Sequence, residues 1–285
     1  MIQSMTGYGK SETQWKDKNI RMELRTLNSK NADINVRLPG YMRELEAEFR
    51  KRISEQLLRG KIDFSIFVDY NGTTTPTVIN TAVVSAYMKQ LESLGTATVS
   101  ERMAMALRLP DTLNSDRETI GEEEKNTLFL ALKETLDSVQ TYRENEGKVL
   151  EGDFILRIDL IKKQLSNAAQ FEPERKEKIS SKLKNSLAEA ALEWDANRWE
   201  QELIYYFEKL DITEEKVRLH NHIAYFTDVL NSEFPNGKKL GFIAQEMGRE
   251  INTIGSKANH AEMQKCVVQM KDELEKIKEQ LLNVL

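Results

Sequence analysis

The hydrophobic pattern changes once along this chain, and this change constrains the fold more than any other feature. Before about residue 70, apolar and polar residues alternate in three runs, over residues 20–26, 34–38 and 62–68. Alternation of this kind is typical of a strand with one buried face. From residue 120 onward, apolar residues recur instead at the spacing of amphipathic helices. The pattern therefore predicts an α+β protein with its strands gathered near the N-terminus.

The alternating segment is expected to form an antiparallel sheet with one helix. A fourth strand is predicted over residues 3–14, with a bulge or kink at Gly7 and Gly9. The helix is predicted over residues 41–58, where apolar residues recur on one face. A long helical spacer is predicted over residues 120–170, as one helix or two stacked ones. The expected domains are an N-terminal α+β domain, a long helical connector and an all-helical C-terminal domain, at residues 1–118, 119–195 and 196–285.

The last predicted helix carries a regular apolar stripe. Its members follow one another at alternating steps of four and three residues, which is a heptad pattern. This heptad stripe consists of Met263, Val267, Met270, Leu274, Ile277, Leu281 and Val284. A stripe of this regularity either packs against another helix of the same chain or joins the subunits of an oligomer. The sequence leaves both alternatives open.

The charge distribution bears on which part of the chain could face an anion. The net charge is −5, which argues against a protein that binds nucleic acid over its whole surface. Residues 1–70, however, contain thirteen Lys or Arg against ten Asp or Glu. The N-terminal part is therefore the better candidate for an anion-facing surface.

Cysteine content and hydropathy narrow the expected location. The single cysteine, Cys266, excludes an intrachain disulfide and falls on an apolar helix face, so we expect a buried thiol. No apolar run approaches the roughly 18 residues of a membrane span, and the N-terminus does not resemble a secretory leader. We therefore expect a soluble, cytoplasmic protein that does not contact a membrane.

The segment from Pro235 to Ala258 combines residue types that core packing rarely requires together. It is predicted to form a helix, on which Glu246 and Glu250 stand one turn apart. Two carboxylates at this spacing can share a divalent cation or divide the roles of general acid and general base. The alternative is a solvated face on which Arg249 and nearby lysines neutralise both acids.

The end of the same segment is rich in hydroxyl, amide and ammonium donors. Asn252, Thr253, Ser256 and Lys257 suit contact with phosphate groups. A helix that ends at a Gly255 cap explains part of the same composition. Both interpretations stay open at this point.

Several short motifs follow one another along the chain. It opens with SMTGYG at residues 4–9 and continues with LRTLNSK at residues 24–30 and RGK at residues 59–61. Later come LDITEE at residues 210–215 and QEMGREINTIGSKA at residues 245–258. These motifs resemble, in order, those of the YicC/YloC family of bacterial proteins, and the last is the most specific match.

The resemblance implies an α+β N-terminal domain, a helical C-terminal domain and a ring-like homo-oligomer, with a hexamer as the expected state. It also implies endoribonuclease activity that depends on a divalent metal ion, Mg²⁺ or Mn²⁺. The chain departs from the family where His220 and Asn221 stand for arginine and serine, and where Gly248 stands for asparagine. Because His220 is a second imidazole, either His220 or His222 could be the working histidine.

His222 is the first residue to consider for catalysis. Glu215 and Arg218 precede it by seven and four residues, so an acid, a guanidinium and an imidazole share one helix face. An imidazole titrates near neutrality and can take a proton from a 2′-hydroxyl or give one to a leaving oxygen. A histidine held in a structural hydrogen bond is the alternative, and the resemblance favours catalysis.

With the resemblance, the candidate residues form three groups. The catalytic candidates are His222, Glu246, Glu250 and Arg249. The candidate metal ligands are Glu246, Glu250, Glu215 and Glu214, with Asp211 as an alternative acid. The candidates for holding RNA phosphates are Arg21, Arg25, Lys30, Arg37, Lys238, Lys239 and Lys257.

These observations support three hypotheses about function. The leading one is a metal-dependent endoribonuclease that cleaves single-stranded or structured RNA and encloses it within a homo-oligomer. The alternative is a non-catalytic oligomeric adaptor that binds RNA and presents it to another nuclease. A purely structural helical oligomer would fit the heptad stripe, but it leaves the composition of residues 246–257 unexplained.

Overall fold

The computed structural model describes residues 2–29, 31–71, 78–114, 120–189, 196–232 and 235–285. The chain forms two compact units: Tyr8–Val139 is one, and the residues up to Gly7 together with Gln140–Leu285 are the other. The domain boundaries predicted at residues 118 and 195 fall outside the described ranges, so they stay predictions. Within those ranges, no helix combines the length and the apolar character needed to cross a membrane.

The N-terminal sheet confirms the three alternating runs as strands. It holds β1 (Gly7–Trp15), β2 (Lys18–Leu27), β3 (Ala32–Arg37) and β4 (Gly60–Tyr70), in the order β1-β2-β4-β3. On β2, Ile20, Met22 and Leu24 are fully buried, and the residues between them face the opposite side. The sheet thus has an apolar face toward the core and a polar face away from it.

The sheet is mixed, and the prediction of an antiparallel sheet was wrong for one pair of strands. β2 is antiparallel to β4, but β3 runs parallel to β4. Between β3 and β4 the chain forms a short 3-10 helix (Gly40–Leu45) and helix α1 (Glu46–Gln56). A helical crossover returns the chain to the same end of the sheet, so the strands that it joins are parallel.

The remaining elements confirm an α+β protein whose C-terminal part is helical. The helices are α2 (Thr81–Glu92), α3 (Val99–Ala106), α4 (Glu122–Gln170), α5 (Glu172–Glu189), α6 (Ala196–Lys209), α7 (Thr213–Leu230), α8 (Gly237–Lys257) and α9 (Ala261–Leu281). Short strands β5 (Val78–Ile79) and β6 (Leu113–Asn114) pair with each other. The predicted spacer is thus one helix, α4.

The first strand begins later than predicted. We expected it to start at residue 3, but the residues before Gly7 bond to the C-terminal segment instead. Met5 N donates to Asn283 O (2.7 Å), and Leu285 N donates to Gln3 O (3.0 Å). These bonds take up backbone groups that β1 would otherwise use, so the strand starts at Gly7.

The glycines of β1 do not mark a bulge or kink. Buried and exposed residues alternate regularly through Gly7 and Gly9. A β-carbon at Gly9 would come within 2.3 Å of Thr135 O on α4 and 2.6 Å of Val139 Cγ2. The absence of a side chain therefore allows the strand to pass close to the helix.

The apolar face of the sheet is covered by α1 and by the first half of α4. Phe49 and Ile53 from α1 lie in one core with Met22 from the sheet and with Leu132 and Val139 from α4. The residues predicted to form amphipathic helices therefore supply the second layer that the sheet needs.

The heptad stripe, which runs along α9 and ends at Val284 just beyond the helix, is buried within its own chain. Its members, from Met263 to Val284, are at most 8 % exposed. They share one core with the second half of α4 and with α7 and α8. Of the two alternatives, packing within one chain is therefore correct, and the stripe offers no surface for joining subunits.

Close packing of α8 on α9 also explains Gly255. The helix continues past this glycine to Lys257, so the prediction of a C-cap at Gly255 was wrong. A β-carbon at Gly255 would lie 3.0 Å from Val267 Cγ1 on α9. The glycine thus serves contact between the two helices.

Candidate active site

Helices α7 and α8 form a packed pair that carries most of the predicted catalytic residues. Leu219, Ile223 and Phe226 from α7 are buried in the same core as Leu240 and Met247 from α8. Burial of these apolar stripes fixes which faces of the helices meet. It thereby places the polar residues along the flanks of the pair.

Two contacts join the flanks, one near each end of the pair. Lys257 Nζ lies 2.8 Å from Glu215 Oε1, and Lys239 Nζ lies 5.0 Å from the centre of the Tyr225 ring. The start of α7 thus meets the end of α8, and the end of α7 meets the start of α8. The helices are therefore antiparallel. The two lysines are five turns apart on α8, so both contacts lie on the same side of the pair.

The predicted catalytic residues lie between these two contacts. On α8, Glu246 and Glu250 are each seven residues from one of the contacting lysines, and seven residues are close to two turns. On α7, His222 lies seven residues after Glu215, which is again close to two turns, so both residues face the same side. We call this side of the pair the α7–α8 seam. It comprises Glu215, His222 and Tyr225 on α7 and Lys239, Glu246, Glu250 and Lys257 on α8.

His222 and Glu246 stand at nearly the same level along the seam. His222 lies eight residues before Leu230, where α7 ends, and Glu246 lies nine residues after Gly237, where α8 begins. At a rise of about 1.5 Å per residue, the two residues lie at similar distances from the end of the pair where α7 ends and α8 begins. Across the described ranges, no hydrogen bond or ion pair engages the His222 side chain.

Glu250 is a nearly buried residue whose carboxylate has no partner among the described residues. It is 9 % exposed and belongs to the buried face of α8, between Met247 and Ile254. Within the described part of the chain, no hydrogen bond or ion pair reaches it. Unlike Glu215 Oε2, neither carboxylate oxygen of Glu250 is among the fully buried atoms of the described residues that lack a hydrogen bond. Glu250 is therefore free to bind a cation or a substrate group.

Two other predicted ligands carry counter-charges from their own helices. Glu246 Oε1 lies 2.8 Å from Arg249 Nη1, so the predicted catalytic Arg249 pairs with the acid one turn before it. Glu214 forms an ion pair with Arg218. Both pairs are at least partly exposed. The solvated-face interpretation thus describes Glu246 but not Glu250, which has no ion pair among the described residues.

Glu215 and Lys257 form a partly buried pair with a structural role. Glu215 is 6 % exposed, and its second carboxylate oxygen, Oε2, is buried without a hydrogen bond. Lys257 Nζ also donates to Asp211 O at 2.8 Å. Arg175, itself buried, donates to the backbone oxygen of Lys257 at 3.2 Å. The Lys257 ammonium is thus engaged with the protein, and its contact with RNA stays a prediction.

The four predicted metal ligands do not form one cluster. In the part of the chain that the structure describes, no group of three or more His, Cys, Asp or Glu is arranged to hold a metal ion. Mg²⁺, however, is commonly held by one or two carboxylates together with water and substrate phosphates. Glu250, with Glu246 one turn away, fits that smaller arrangement because no cation neutralises Glu250 within the described ranges.

The three histidines lie in different surroundings. His222 is half-buried at the seam, whereas His220 is exposed. His260 is structural: its Nδ1 accepts a hydrogen bond from Met263 N (3.4 Å) at the start of α9. Its ring stacks against Phe171, with 5.4 Å between the ring centres. Of the two histidines that the sequence left open, His222 is therefore the one placed at the candidate site.

The N-terminal candidates for RNA binding lie on the polar face of the sheet. Arg21 and Arg25 both approach Glu23, at 3.5 and 3.3 Å. Arg37 is exposed, and nothing among the described residues forms a hydrogen bond or ion pair with it. Lys30 lies outside the described residues.

The burial of two acids could have been predicted from the sequence. Glu215 precedes Leu219 by four residues and Ile223 by eight, so it falls on the apolar stripe of α7. Glu250 follows Met247 by three residues and falls on the apolar stripe of α8. Both acids were predicted only as candidate ligands, although their spacing from the apolar residues already indicated burial.

Comparison with known proteins tests the resemblance. Residues 2–152 match the family model for the N-terminal region of endoribonuclease YicC-like proteins, and residues 166–285 match the corresponding C-terminal model. The chain is 31 % identical over 298 residues to a Clostridioides difficile (strain 630) protein named probable endoribonuclease YicC. It is 26 % identical over 289 residues to a Haemophilus influenzae protein of the same name, and both alignments cover 100 % of each chain. The chain therefore belongs to the YicC-like endoribonuclease family.

Proposed function

We propose that this protein is an endoribonuclease with its active site at the α7–α8 seam. The observation that carries the proposal is Glu250, a residue 9 % exposed whose carboxylate has no partner among the described residues. A carboxylate without a counter-charge on the apolar face of a helix is available to bind a cation or a substrate group. The names of the family and of the two relatives support RNA as the substrate.

His222 moves protons in this proposal. It lies on the same side of the helix pair as Glu246 and at nearly the same level. A neutral imidazole can take the proton of a ribose 2′-hydroxyl, and the imidazolium can protonate the leaving 5′-oxygen. Such a group contributes about 10²- to 10⁴-fold to the rate.

The proposed activity depends on Mg²⁺ or Mn²⁺. Glu250 would hold the ion, with Glu246 one turn away as a second carboxylate. When bound, the ion stabilises negative charge on the scissile phosphate. Arg249 balances the charge of Glu246, whereas no described residue pairs with Glu250.

Cations near the seam would hold the RNA backbone. Lys238 is exposed and has no hydrogen bond or ion pair within the described ranges. Lys239 lies over the exposed Tyr225 ring, and the Arg249 side chain is 66 % exposed beside its ion pair. These groups can approach phosphates without breaking the buried core.

We also propose a ring-like homo-oligomer, a hexamer, that works in the cytoplasm. Support comes from the family resemblance and from large apolar side chains exposed outside both cores, such as Ile204 and Tyr205 on α6 and Met103 and Met105 on α3. A single cysteine suits a reducing compartment. Native mass measurement tests the assembly, and the mass of a monomer at working concentration would contradict it.

Cleavage with and without a chelator tests the proposed reaction. A labelled structured RNA is incubated with purified protein in Mg²⁺ or Mn²⁺, in EDTA, and in EDTA followed by excess metal ion. We expect cleavage that EDTA removes and the added ion restores. Undiminished cutting in EDTA would refute the metal dependence.

The same assay separates the enzyme from the adaptor. An adaptor would bind the RNA with an affinity that falls steeply with salt, yet it would not cut the RNA in any of the buffers. In an adaptor, the exposed lysines would still bind RNA. The Glu250 carboxylate, which has no partner among the described residues, would have no function. We therefore propose the enzyme.

A further inference from the structure

A second candidate site lies in the N-terminal unit and shares no residue with the α7–α8 seam. A groove of about 850 Å³ opens beside β3 and β4. Phe67 and the arginines Arg21, Arg37 and Arg43 are among its lining residues. Its volume falls within the roughly 300–1,000 Å³ of typical small-ligand sites. The combination of an aromatic ring with several guanidinium groups indicates what kind of ligand would fit.

Phe67 presents an aromatic surface on the polar face of the sheet. It lies on β4 and is 43 % exposed, although a phenylalanine is among the residues that usually pack inward. Arg21 stands opposite it on β2, with its guanidinium carbon 5.0 Å from the ring centre. The guanidinium thus lies over the ring, and together they form a surface of the kind on which unpaired bases stack, since bases stack on both aromatic rings and guanidinium planes.

The groove also has cations that are free to bind phosphate. Arg37 and Arg43 are exposed, and neither makes a hydrogen bond or ion pair with a described residue. Of the acids that line the groove, Glu46 is held by Arg50 at 2.8 Å. That leaves Asp69 as the unpaired acid of the groove against two free guanidinium groups. The charge balance therefore favours an anionic ligand.

We propose that this groove binds an unpaired nucleotide of single-stranded RNA. The base stacks on Phe67, while Arg37 and Arg43 hold the flanking phosphates. RNA as the ligand rests on the proposed function. A base inside a duplex is already stacked on both sides, so the groove would select RNA with an unpaired segment. This selection adds a substrate preference to the cleavage that the seam performs.

Binding of a labelled oligouridylate in EDTA tests the proposal without interference from cleavage. Phe67→Leu keeps an apolar side chain but removes the ring, and we expect it to weaken binding about tenfold. Phe67→Tyr keeps the ring and should bind like the natural protein. Arg37→Ala should weaken binding and reduce the slope of log affinity against log salt by about 0.7. Lys51→Ala, which removes an exposed cation from α1 outside the groove, should change neither quantity beyond measurement error.

A second oligonucleotide shows whether the base itself is recognised. An abasic strand of the same length keeps every phosphate, so we expect the natural protein to bind it about as weakly as Phe67→Leu binds oligouridylate. Phe67→Leu should no longer distinguish the two strands. Equal binding of both strands by the natural protein, or full affinity in Phe67→Leu, would overturn the proposal. These measurements need no cleavage. A protein that binds as expected but does not cut RNA would refute the proposed reaction, and the binding data would still test the groove.

Discussion

Lys257 donates a hydrogen bond of 2.8 Å to Glu215 and thereby ties the last turn of α8 to the first turn of α7. The Glu215 side chain is 8 % exposed and the Lys257 side chain 29 %. His222 and Glu250 each lie seven residues further along the seam from this pair. The ion pair therefore helps to hold α7 and α8 in the arrangement that positions the candidate catalytic groups.

Removal of this cation should destabilise the protein. Lys257→Met is expected to lower the free energy of unfolding by about 3 kcal/mol, because it leaves the Glu215 carboxylate buried without compensation. Urea unfolding measures the change. Lys265→Met is the matched control, since Lys265 pairs with Glu262 on the surface and its loss should cost less than about 1 kcal/mol. Similar losses in both variants would contradict the assigned role of Lys257.

The two neighbouring histidines should differ in their effect on cleavage. His222→Gln is expected to slow cleavage by about 10²-fold or more, because the seam loses its proton carrier. His220→Gln should cut at nearly the natural rate, since His220 is exposed beside the seam residues. Single-turnover cleavage of one RNA by both variants measures the difference. A larger loss in His220→Gln would move the working histidine to that position.

The close packing of α8 on α9 predicts different effects at two glycines of the same helix. Gly241→Ala should raise the free energy of unfolding by about 1 kcal/mol, because alanine favours helix and nothing lies within 4 Å of the new β-carbon. Gly255→Ala should lose that gain, because its β-carbon would press on Val267 at 3.0 Å. Thermal or urea unfolding compares the two variants. Equal stabilisation would show that the helices can separate at no cost.

Burial should protect the single cysteine from thiol reagents. Cys266 is 7 % exposed, and burial raises the pKa of its thiol. Since the thiolate is the reactive form, a raised pKa leaves less of it near neutral pH, and the rate should keep rising above the ordinary thiol pKa. We expect slow reaction with a disulfide reagent in the native protein and fast reaction in urea. Fast native reaction would contradict burial on the apolar face of α9.

Periodicity predicted the elements of the fold because it reports which face of each element is buried. The alternation in β2 and the heptad stripe on α9 both proved to be buried faces. Periodicity does not report which element covers a face. The parallel pairing of β3 with β4 and the packing of the heptad stripe within its own chain therefore needed the structure.

In the candidate site, too, the sequence predicted contacts within one helix but not contacts between helices. The pair of Glu246 with Arg249 follows from a spacing of three residues on one helix. The pair of Glu215 with Lys257 joins residues far apart in sequence, and no local sequence pattern predicts it. Whether an acid has a counter-charge thus depends on tertiary contacts. Only the packed helices show that Glu250 has no counter-charge among the described residues.

The Glu250→Gln variant tests whether the Glu250 carboxylate serves the reaction. It keeps the shape of the side chain and removes the carboxylate. We expect cleavage in Mg²⁺ to fall by about 10²-fold or more, because the proposed metal ligand is lost. We expect the free energy of unfolding to change by less than about 1 kcal/mol, because no described residue bonds to the Glu250 side chain. Natural cleavage by a stably folded Glu250→Gln protein would contradict the proposed role of Glu250 as a metal ligand.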